Sequence, residues 1–112
     1  MSQIYAADAP TRQEIDAMPG SVVIEFGTNW CGICAAAQPS IRAAFADYPG
    51  VRHIKIEDGE GRPTGRSFGV KLWPTLVFLS SGKEVARAVR PSDTQSIREA
   101  LTELAATSRS DK

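Results

Sequence analysis

The chain has 112 residues, enough for one domain with its own hydrophobic core and without a metal or disulfide framework. Its 13 basic and 13 acidic residues cancel, and neither sign forms a long run, which argues against binding of nucleic acid or anionic lipid. No stretch approaches the roughly 20 apolar residues of a membrane-spanning helix. The N-terminus has neither a basic start nor an apolar block, so we expect no secretory signal and a cytoplasmic protein.

The first segments alternate between strand and helix patterns. Residues 3–6 have the pattern of a short edge strand. Thr11 and Glu14, three residues apart, have the form of a capping box, which predicts a helix that ends at the Pro-Gly dipeptide 19–20. A nearly continuous apolar run at 22–26 predicts a central strand that is covered on both faces.

A longer helix is predicted from Cys31 to about Asp47. Pro39 interrupts it and should kink it, since proline removes one hydrogen bond of the helix. Residues 51–56 have the pattern of a strand, and the polar, Gly-rich stretch 57–66 is expected to contain a short helix. The apolar face of the longer helix would carry Ile33, Ala37, Ile41, Ala44 and Phe45.

A hairpin and a last helix complete the pattern. Residues 74–79 and 84–89 predict two strands joined by a tight turn. Ser92 and Gln95 have the form of a second capping box, and residues 107–112 are expected to fray. The apolar positions of the last helix, spaced i, i+3, i+4, i+7 and i+8, are Ile97, Ala100, Leu101, Leu104 and Ala105.

The order of these elements predicts an α/β fold. Residues 1–112 would form a single domain with a central mixed sheet of four to five strands, flanked by helices on both faces. The connection between the strands at 22–26 and 51–56 would be a right-handed crossover.

The chain has two cysteines, Cys31 and Cys34, at the predicted start of a helix. Amide groups at a helix start stabilise a thiolate, so Cys31 is the expected nucleophile toward a substrate disulfide, and Cys34 is the buried thiol that resolves the mixed disulfide. A zinc site needs four ligands, and beyond these two sulfurs the chain offers one histidine, His53, which leaves only a site shared between two copies. A structural disulfide is disfavoured in a reducing compartment. We therefore expect a working dithiol and no metal.

Three stretches resemble the thioredoxin family. VVIEFGTNWCGICAAAQP (22–39) is similar to that family's strand, active site and helix, whose usual core is WCGPC with a proline five residues after the second cysteine. FGVKLWPT (68–75) is similar to the segment that ends in the family's cis-proline, and SSGKEV (80–85) matches its hairpin turn. The resemblance covers about residues 3–106. It implies a thioredoxin-like fold and reduction of protein disulfides through the dithiol.

The resemblance also implies a substrate-binding face around the dithiol. Trp30 would shield the site and contact substrate, whereas the alternative is an ordinary place in the core. Pro74 would be cis and would expose the backbone of Trp73, so that an extended substrate pairs with it as an added strand. The alternative is an ordinary proline at the start of a strand. Pro39 would shape the helix under the site, and Arg90 would lie on the rim opposite the nucleophile.

Glu25 is a carboxylate inside the apolar central strand, which is costly unless the group is satisfied or useful. The resemblance places it behind Cys34 as the acceptor of the resolving proton, where thioredoxins usually have an aspartate. Burial would raise its pKa toward the range of a general base, and the alternative is a strand with a solvated edge. His53 stands where the family commonly has a lysine. If it pairs with Glu25, the pair would change charge near neutral pH, and otherwise it is a half-exposed strand residue.

Other departures from the family lie near the dithiol. Gly32 and Ile33 separate the cysteines, and Ile33 replaces a proline that limits the flexibility of the reduced loop, so we expect a potential more oxidising than that of a typical thioredoxin. The Gly-Thr pair at 27–28 replaces a tryptophan and an alanine. Trp73 replaces an isoleucine and Arg90 a glycine, which makes the docking face bulkier and charged. The expected substrate-binding residues are Trp30, Gly32, Ile33, Trp73, Pro74 and Arg90.

These features support three functions. The first is a cytosolic, thioredoxin-like protein-disulfide reductase, a monomeric enzyme that binds no cofactor and receives electrons from a separate NADPH-dependent thioredoxin reductase or a similar donor. Its partners would be proteins that contain disulfides, and neither a nucleic acid nor a membrane. The second is a thiol oxidase or isomerase of the same fold, which Glu25 and the dipeptide without proline would suit. The third is a binding or redox-sensing module in which the surface of Trp30 and Trp73 holds a partner.

Overall fold

The computed structural model describes residues 4–110 of the chain, and its elements follow one another in the order expected from the sequence. They are α1 (Arg12–Asp16), β1 (Ser21–Gly27), α2 (Gly32–Phe45), β2 (Arg52–Glu57), α3 (Pro63–Ser67), β3 (Thr75–Ser80), β4 (Lys83–Val89) and α4 (Thr94–Ser110). The tail expected to fray, 107–112, falls partly in α4 and partly outside the described residues. Within 4–110, none of the helices has the length and apolar character needed to cross a membrane.

The sheet has four strands in the order β2-β1-β3-β4. β1 runs parallel to β2 and antiparallel to β3, and β4 is antiparallel to β3, so the predicted α/β fold with a mixed sheet is confirmed. β1 lies in the middle, as its apolar run at 22–26 predicted, and six of its seven residues are buried. The edge strand expected at 3–6 is reduced to one parallel bridge between Ala6 and Ile56, and residue 3 lies outside the described residues.

Two apolar layers cover the two faces of the sheet. Because side chains alternate along a strand, Val23, Leu76 and Phe78 face one side, where α2 and α4 pack on them. On the other side, Ile15 from α1 and Phe68 from the segment after α3 join the opposite set of strand residues. Helices therefore flank the sheet on both faces. The start of α2 follows directly after the end of β1, which places the dithiol at that end of the sheet.

The sequence predicted one helix start correctly and another one residue too early. At α1 the capping box is present: the Thr11 hydroxyl accepts the Glu14 N–H at 3.1 Å, and the Glu14 carboxylate accepts the Thr11 N–H at 2.8 Å. At α4 the predicted box at Ser92 is wrong, because Asp93 Oδ1 accepts the N–H of Ser96 at 2.9 Å. That bond holds the pKa of Asp93 below its ordinary value, and the charged carboxylate suits the positive end of the helix.

The buried face of α2 begins at Cys34, one residue later than predicted. Its buried residues are Cys34, Ala37, Ile41 and Ala44. Ile33 was expected on this buried face, but it is 47% exposed. In the first turn of the helix, the next residue, Cys34, takes the buried position instead. Pro39 lies inside the helix, exposed to solvent, and Phe45 packs against the core in a partly buried position. Ile33 is thus at the surface beside the dithiol.

Candidate dithiol site

Cys31 is the N-cap residue of α2, and its Sγ accepts the backbone N–H of Cys34 at 3.2 Å. A sulfur in this position faces a helix donor, so negative charge on it is met by the N-terminal amides. Cys31 is partly exposed, whereas Cys34 is only 1% exposed, and neither is in a disulfide. The two sulfurs therefore differ in access, as a nucleophile and a resolving thiol require.

Burial raises the pKa of the Cys34 thiol to about 11, and its hydrogen bond with Cys31 adds to the increase. Cys34 is therefore protonated at neutral pH in the reduced protein. A thiol of this kind must lose its proton before its sulfur can attack, so the site needs a proton acceptor nearby.

Glu25 lies in the middle of β1, 0% exposed, and side chains from three other segments surround its carboxylate. Tyr5 Oη donates a hydrogen bond to Oε2, and Gln38 Nε2 donates another at 3.0 Å. His53 Nε2 contacts Oε1 at 2.8 Å, and Lys55 Nζ lies 4.0 Å from Oε2. The alternative of a solvated strand edge is wrong. The carboxylate is buried and satisfied.

The expectation of a raised pKa at Glu25 is wrong in its direction. Burial is the largest single effect and does raise the pKa, but hydrogen bonds from His53, Tyr5 and Gln38 favour the charged carboxylate and together outweigh it. The pKa of Glu25 is therefore below its ordinary value, and the group is ionised at neutral pH. The predicted pKa took account of burial but not of the hydrogen-bond donors, because the donors come from segments far apart in the chain.

His53 contacts Glu25, as hypothesised. Its ring also stacks on Phe45, with the ring centroids 4.3 Å apart and the planes inclined by 12°. The stack on Phe45 and the contact with Glu25 fix the position of the ring, and a functional role of this partly exposed strand residue stays a prediction.

A variant with lysine at position 53 tests whether this contact tunes the reaction. His53 is the only histidine of the chain, and a lysine in its place would keep its charge well above neutral pH. We expect the pH profile of disulfide reduction between about pH 6 and 8 to differ between His53→Lys and the parent protein, because lysine replaces the ring that contacts the Glu25 carboxylate. The measurement is the initial rate of reduction across that range. Superimposable profiles for the two proteins would remove His53 from the pH response.

The exposed face beside the dithiol is formed by two tryptophans. Trp30 is 76% exposed, which excludes an ordinary core position, and its ring meets that of Trp73 edge to face with centroids 5.7 Å apart. Trp73 Nε1 donates a hydrogen bond to the buried Asp58 at 2.8 Å, which fixes the ring. The peptide bond between Trp73 and Pro74 is cis, as the resemblance implied. Gly32 is exposed as well.

The side chain of Arg90 is bonded to the Trp73 carbonyl, part of the backbone with which a substrate was expected to pair. Its Nε donates a hydrogen bond to the carbonyl oxygen of Trp73 at 3.0 Å, and its own N–H donates to the carbonyl of Pro74 at 2.8 Å. Arg90 has a φ of 47°, in the left-handed region, and its side chain is exposed. Arg90 lies against the Trp73–Pro74 segment, and its contact with the Trp73 carbonyl was not predicted; its place on a docking rim stays a prediction.

Similarity to known proteins agrees with this geometry. The family model Thioredoxin matches residues 3–103, nearly the whole chain. The chain belongs to the thioredoxin family.

A thioredoxin of Chlamydia muridarum is 38% identical over 79 residues, which make up 70% of this chain and 76% of that protein. The structure of reduced thioredoxin 2 from Pseudomonas aeruginosa PAO1 is 53% identical, covers 96% of this chain and 99% of that one, and superposes with a TM-score of 0.86. Thioredoxin from Fasciola hepatica is 28% identical over 80% of this chain and 84% of its own, with a TM-score of 0.65.

Membership of the thioredoxin family makes the chain a thiol-disulfide oxidoreductase that reduces protein disulfides by dithiol–disulfide exchange. The predicted family, fold and reductase activity are confirmed. Thioredoxins act without a bound cofactor. Among residues 4–110, no three His, Cys, Asp or Glu side chains are grouped so as to hold a metal ion.

Sequence reasoning missed four residues that build this thioredoxin site. Tyr5 and Gln38 donate to Glu25, Lys55 lies beside it, and Asp58 holds the ring of Trp73. Gln38 and Lys55 also bond to each other at 2.7 Å. One signal pointed to Tyr5: a glycine at position 27, where the family often has tryptophan, leaves space that another side chain must fill. The roles of Gln38, Lys55 and Asp58 depend on how strands and helices pack, and no local sequence pattern indicates them.

Proposed function

We propose that Cys31 is the attacking thiol, Cys34 the resolving thiol and Glu25 the final acceptor of the resolving proton in this reductase. The observation that supports these roles is the asymmetry of the two sulfurs. Cys31 is accessible and faces a helix donor, whereas Cys34 is buried and protonated, and Tyr5, whose ring lies beside its sulfur, bonds to the ionised Glu25 carboxylate.

The reaction balances over two exchanges. The Cys31 thiolate attacks one sulfur of the substrate disulfide, the substrate S–S bond breaks, and the second substrate sulfur leaves as a thiolate that takes a proton from water. Cys34 then loses its proton and attacks the sulfur of Cys31, which releases the first substrate sulfur as a thiolate. The substrate gains two electrons, and the two cysteines become a disulfide. A separate NADPH-dependent thioredoxin reductase, or a similar donor, would return the dithiol to its reduced state.

A protein substrate would dock on the face that surrounds Cys31. Trp30, Gly32 and Ile33 offer exposed apolar surface on one side, and Trp73 with Pro74 offers an aromatic ring and backbone on the other. A disulfide-bearing segment in extended form could pair with the backbone of Trp73, as an added strand pairs with a sheet edge. The side chain of Arg90 must leave the Trp73 carbonyl for that pairing to occur.

Removal of the Arg90 guanidinium should therefore ease docking. A hydrogen bond of this kind contributes about 0.5–1.5 kcal/mol, so we expect Arg90→Ala to lower KM for a protein disulfide by about 2- to 10-fold with little change in kcat. Arg87→Ala is the matched control, because Arg87 also donates to a backbone carbonyl, that of Phe68, away from the dithiol. A KM that rises in Arg90→Ala would show instead that the guanidinium binds substrate.

Reduction of insulin by dithiothreitol tests the proposed function. The parent protein should accelerate it, and Cys31→Ser should not, since the serine hydroxyl is not ionised at neutral pH and cannot attack a disulfide. A parent protein that leaves the insulin reaction unchanged would favour the binding or redox-sensing module.

A further inference from the structure

Tyr5 contacts the buried Glu25 carboxylate and lies beside the resolving sulfur of Cys34. Its side chain is 4% exposed, and its hydroxyl donates a hydrogen bond to Glu25 Oε2. A Cβ atom on Gly27 would lie 2.7 Å from Tyr5 Cζ and 2.8 Å from Cys34 Sγ. The ring carbon that carries the hydroxyl and the sulfur are therefore both close to one point beside Gly27, with no room for another side chain there.

The position of Tyr5 is fixed on its backbone as well as at its hydroxyl. The Tyr5 N–H donates to Asn29 Oδ1 at 2.8 Å, and Asn29 Nδ2 donates to the carbonyl of Tyr5 at 3.2 Å. The next residue, Ala6, bridges to β2, and Lys55 Nζ lies over the Tyr5 ring, 4.6 Å from its centroid. The loop before Cys31 thus holds the tyrosine directly at the dithiol.

The raised pKa of Tyr5 suits a hydroxyl that passes on a proton and stays neutral. Burial, with Glu25 close by, raises the pKa of Tyr5 far above its ordinary value, so the free phenolate is not formed. A hydrogen bond from Tyr5 also lowers the pKa of Cys34, against the stronger effect of burial. The Tyr5 hydroxyl donates to the Glu25 carboxylate, and the ring carbon that carries it lies beside the Cys34 sulfur at Gly27.

We propose that the Tyr5 hydroxyl carries the resolving proton from Cys34 Sγ to Glu25 Oε2. The proposal rests on the proposed function, in which Cys34 attacks Cys31. The proton of Cys34 passes to Tyr5 Oη while the hydroxyl proton of Tyr5 passes to Glu25. Cys34 forms its bond to the Cys31 sulfur, the bond from Cys31 to the substrate sulfur breaks, and the substrate leaves as a thiolate. Tyr5 keeps the proton that it received from Cys34 and is neutral before and after the step, and Glu25 ends the step protonated.

A carboxylate as weakly basic as Glu25 is sufficient for this transfer. The Cys34 proton becomes much more acidic as the new S–S bond forms, because a disulfide sulfur does not hold a proton. The Glu25 carboxylate needs to accept the proton only at that moment. The other titratable groups that face this path are Lys55 and His53 from β2 and Cys31 from the start of α2.

A reaction with dithiobis(nitrobenzoic acid) separates the two chemical steps. Reduced protein releases one nitrothiobenzoate when Cys31 attacks and a second when Cys34 resolves the mixed disulfide. We expect Tyr5→Phe to leave the first phase unchanged and to slow the second by about 10-fold or more, below the 10²–10⁴-fold typical of general acid–base catalysis because water can partly replace the hydroxyl. The second phase should recover as the pH rises into the range where the buried Cys34 thiol ionises without a relay.

Tyr48→Phe is the matched control, since Tyr48 bonds to Thr102 and lies in a different part of the fold. It should leave both phases as they are. A second phase in Tyr5→Phe that matches the parent rate, or that is slowed equally at every pH, would overturn the relay. A parent protein with no second phase would instead contradict the proposed function, so the two failures are distinguishable.

The parent protein alone provides a second test that does not depend on the folding of a variant. Two protons move together in the relay, so the rate of the second phase in mixtures of light and heavy water should curve with the fraction of deuterium. A linear dependence, or no dependence, would contradict the transfer of two protons through Tyr5.

Discussion

Cys34→Ser is expected to stop the reaction after one exchange. Cys31 keeps its position at the start of α2 and can still attack, but the serine hydroxyl cannot displace the substrate sulfur, since it is not ionised at neutral pH and forms no disulfide. Multiple-turnover reduction of insulin should fall to the rate of dithiothreitol alone. When the reduced variant is mixed with substrate in the absence of dithiothreitol, it should accumulate as a covalent adduct with the substrate.

Mass spectrometry of the adduct checks this prediction. One substrate molecule should be attached through Cys31, and dithiothreitol should release it. Cys31→Ser serves as the matched control, because it removes the accessible thiol and keeps the buried one. Turnover by Cys34→Ser near the parent rate would mean that an external thiol resolves the intermediate and that Cys34 has another role.

Gly27→Ala is expected to destabilise the protein and to disturb the site. The added Cβ would lie 2.7 Å from Tyr5 Cζ and 2.8 Å from Cys34 Sγ, closer than side-chain atoms pack, so one of the two groups must move. Overpacking of this kind costs about 1–3 kcal/mol. The free energy of unfolding, measured by urea denaturation, should fall by that amount, and the resolving step should slow because Tyr5 is displaced.

Gly32→Ala is the matched control for this change. Gly32 lies two residues before Cys34 in the first turn of α2, and a Cβ there would meet nothing within 4 Å. Alanine is the better helix former, so Gly32→Ala should be as stable as the parent or slightly more stable. Equal stability of Gly27→Ala and the parent would show that the ring of Tyr5 can shift freely, which would also weaken the relay.

Local sequence patterns predicted much of this fold, because they reflect interactions within a few residues. The apolar run at 22–26 identified the central strand, and the Thr11–Glu14 pair identified the start of α1. Ser92 was mistaken for the cap of α4 because Ser92 and Asp93 are both good caps and stand side by side, and the local pattern does not choose between them. Ile33 was placed on the buried face because periodicity alone does not locate the edge of the stripe.

Features of the site that depend on the residue type itself could be predicted from the sequence. Features that depend on hydrogen-bond partners from distant parts of the chain could not. The dithiol, the cis peptide bond before Pro74 and the burial of Glu25 were all expected. The direction of the Glu25 pKa was not, because it depends on three donors. Of these, Tyr5 lies 20 residues before Glu25 and His53 lies 28 residues after it, so no window of sequence joins them.

The effect of Ile33 on the redox potential stays a prediction. Its side chain is exposed to solvent, so it does not alter the packing behind Cys34. Any change in potential would come from the loop between the cysteines and from the surface that a partner covers.

Alkylation of the reduced protein by iodoacetamide, mapped to each cysteine as a function of pH, tests the central assignment most directly. We expect Cys31 to be modified first at neutral pH and Cys34 to stay protected until the pH approaches about 11, because burial both shields its sulfur and keeps it protonated. Modification of Cys34 at neutral pH as fast as that of Cys31 would contradict the division of the dithiol into an attacking and a resolving thiol.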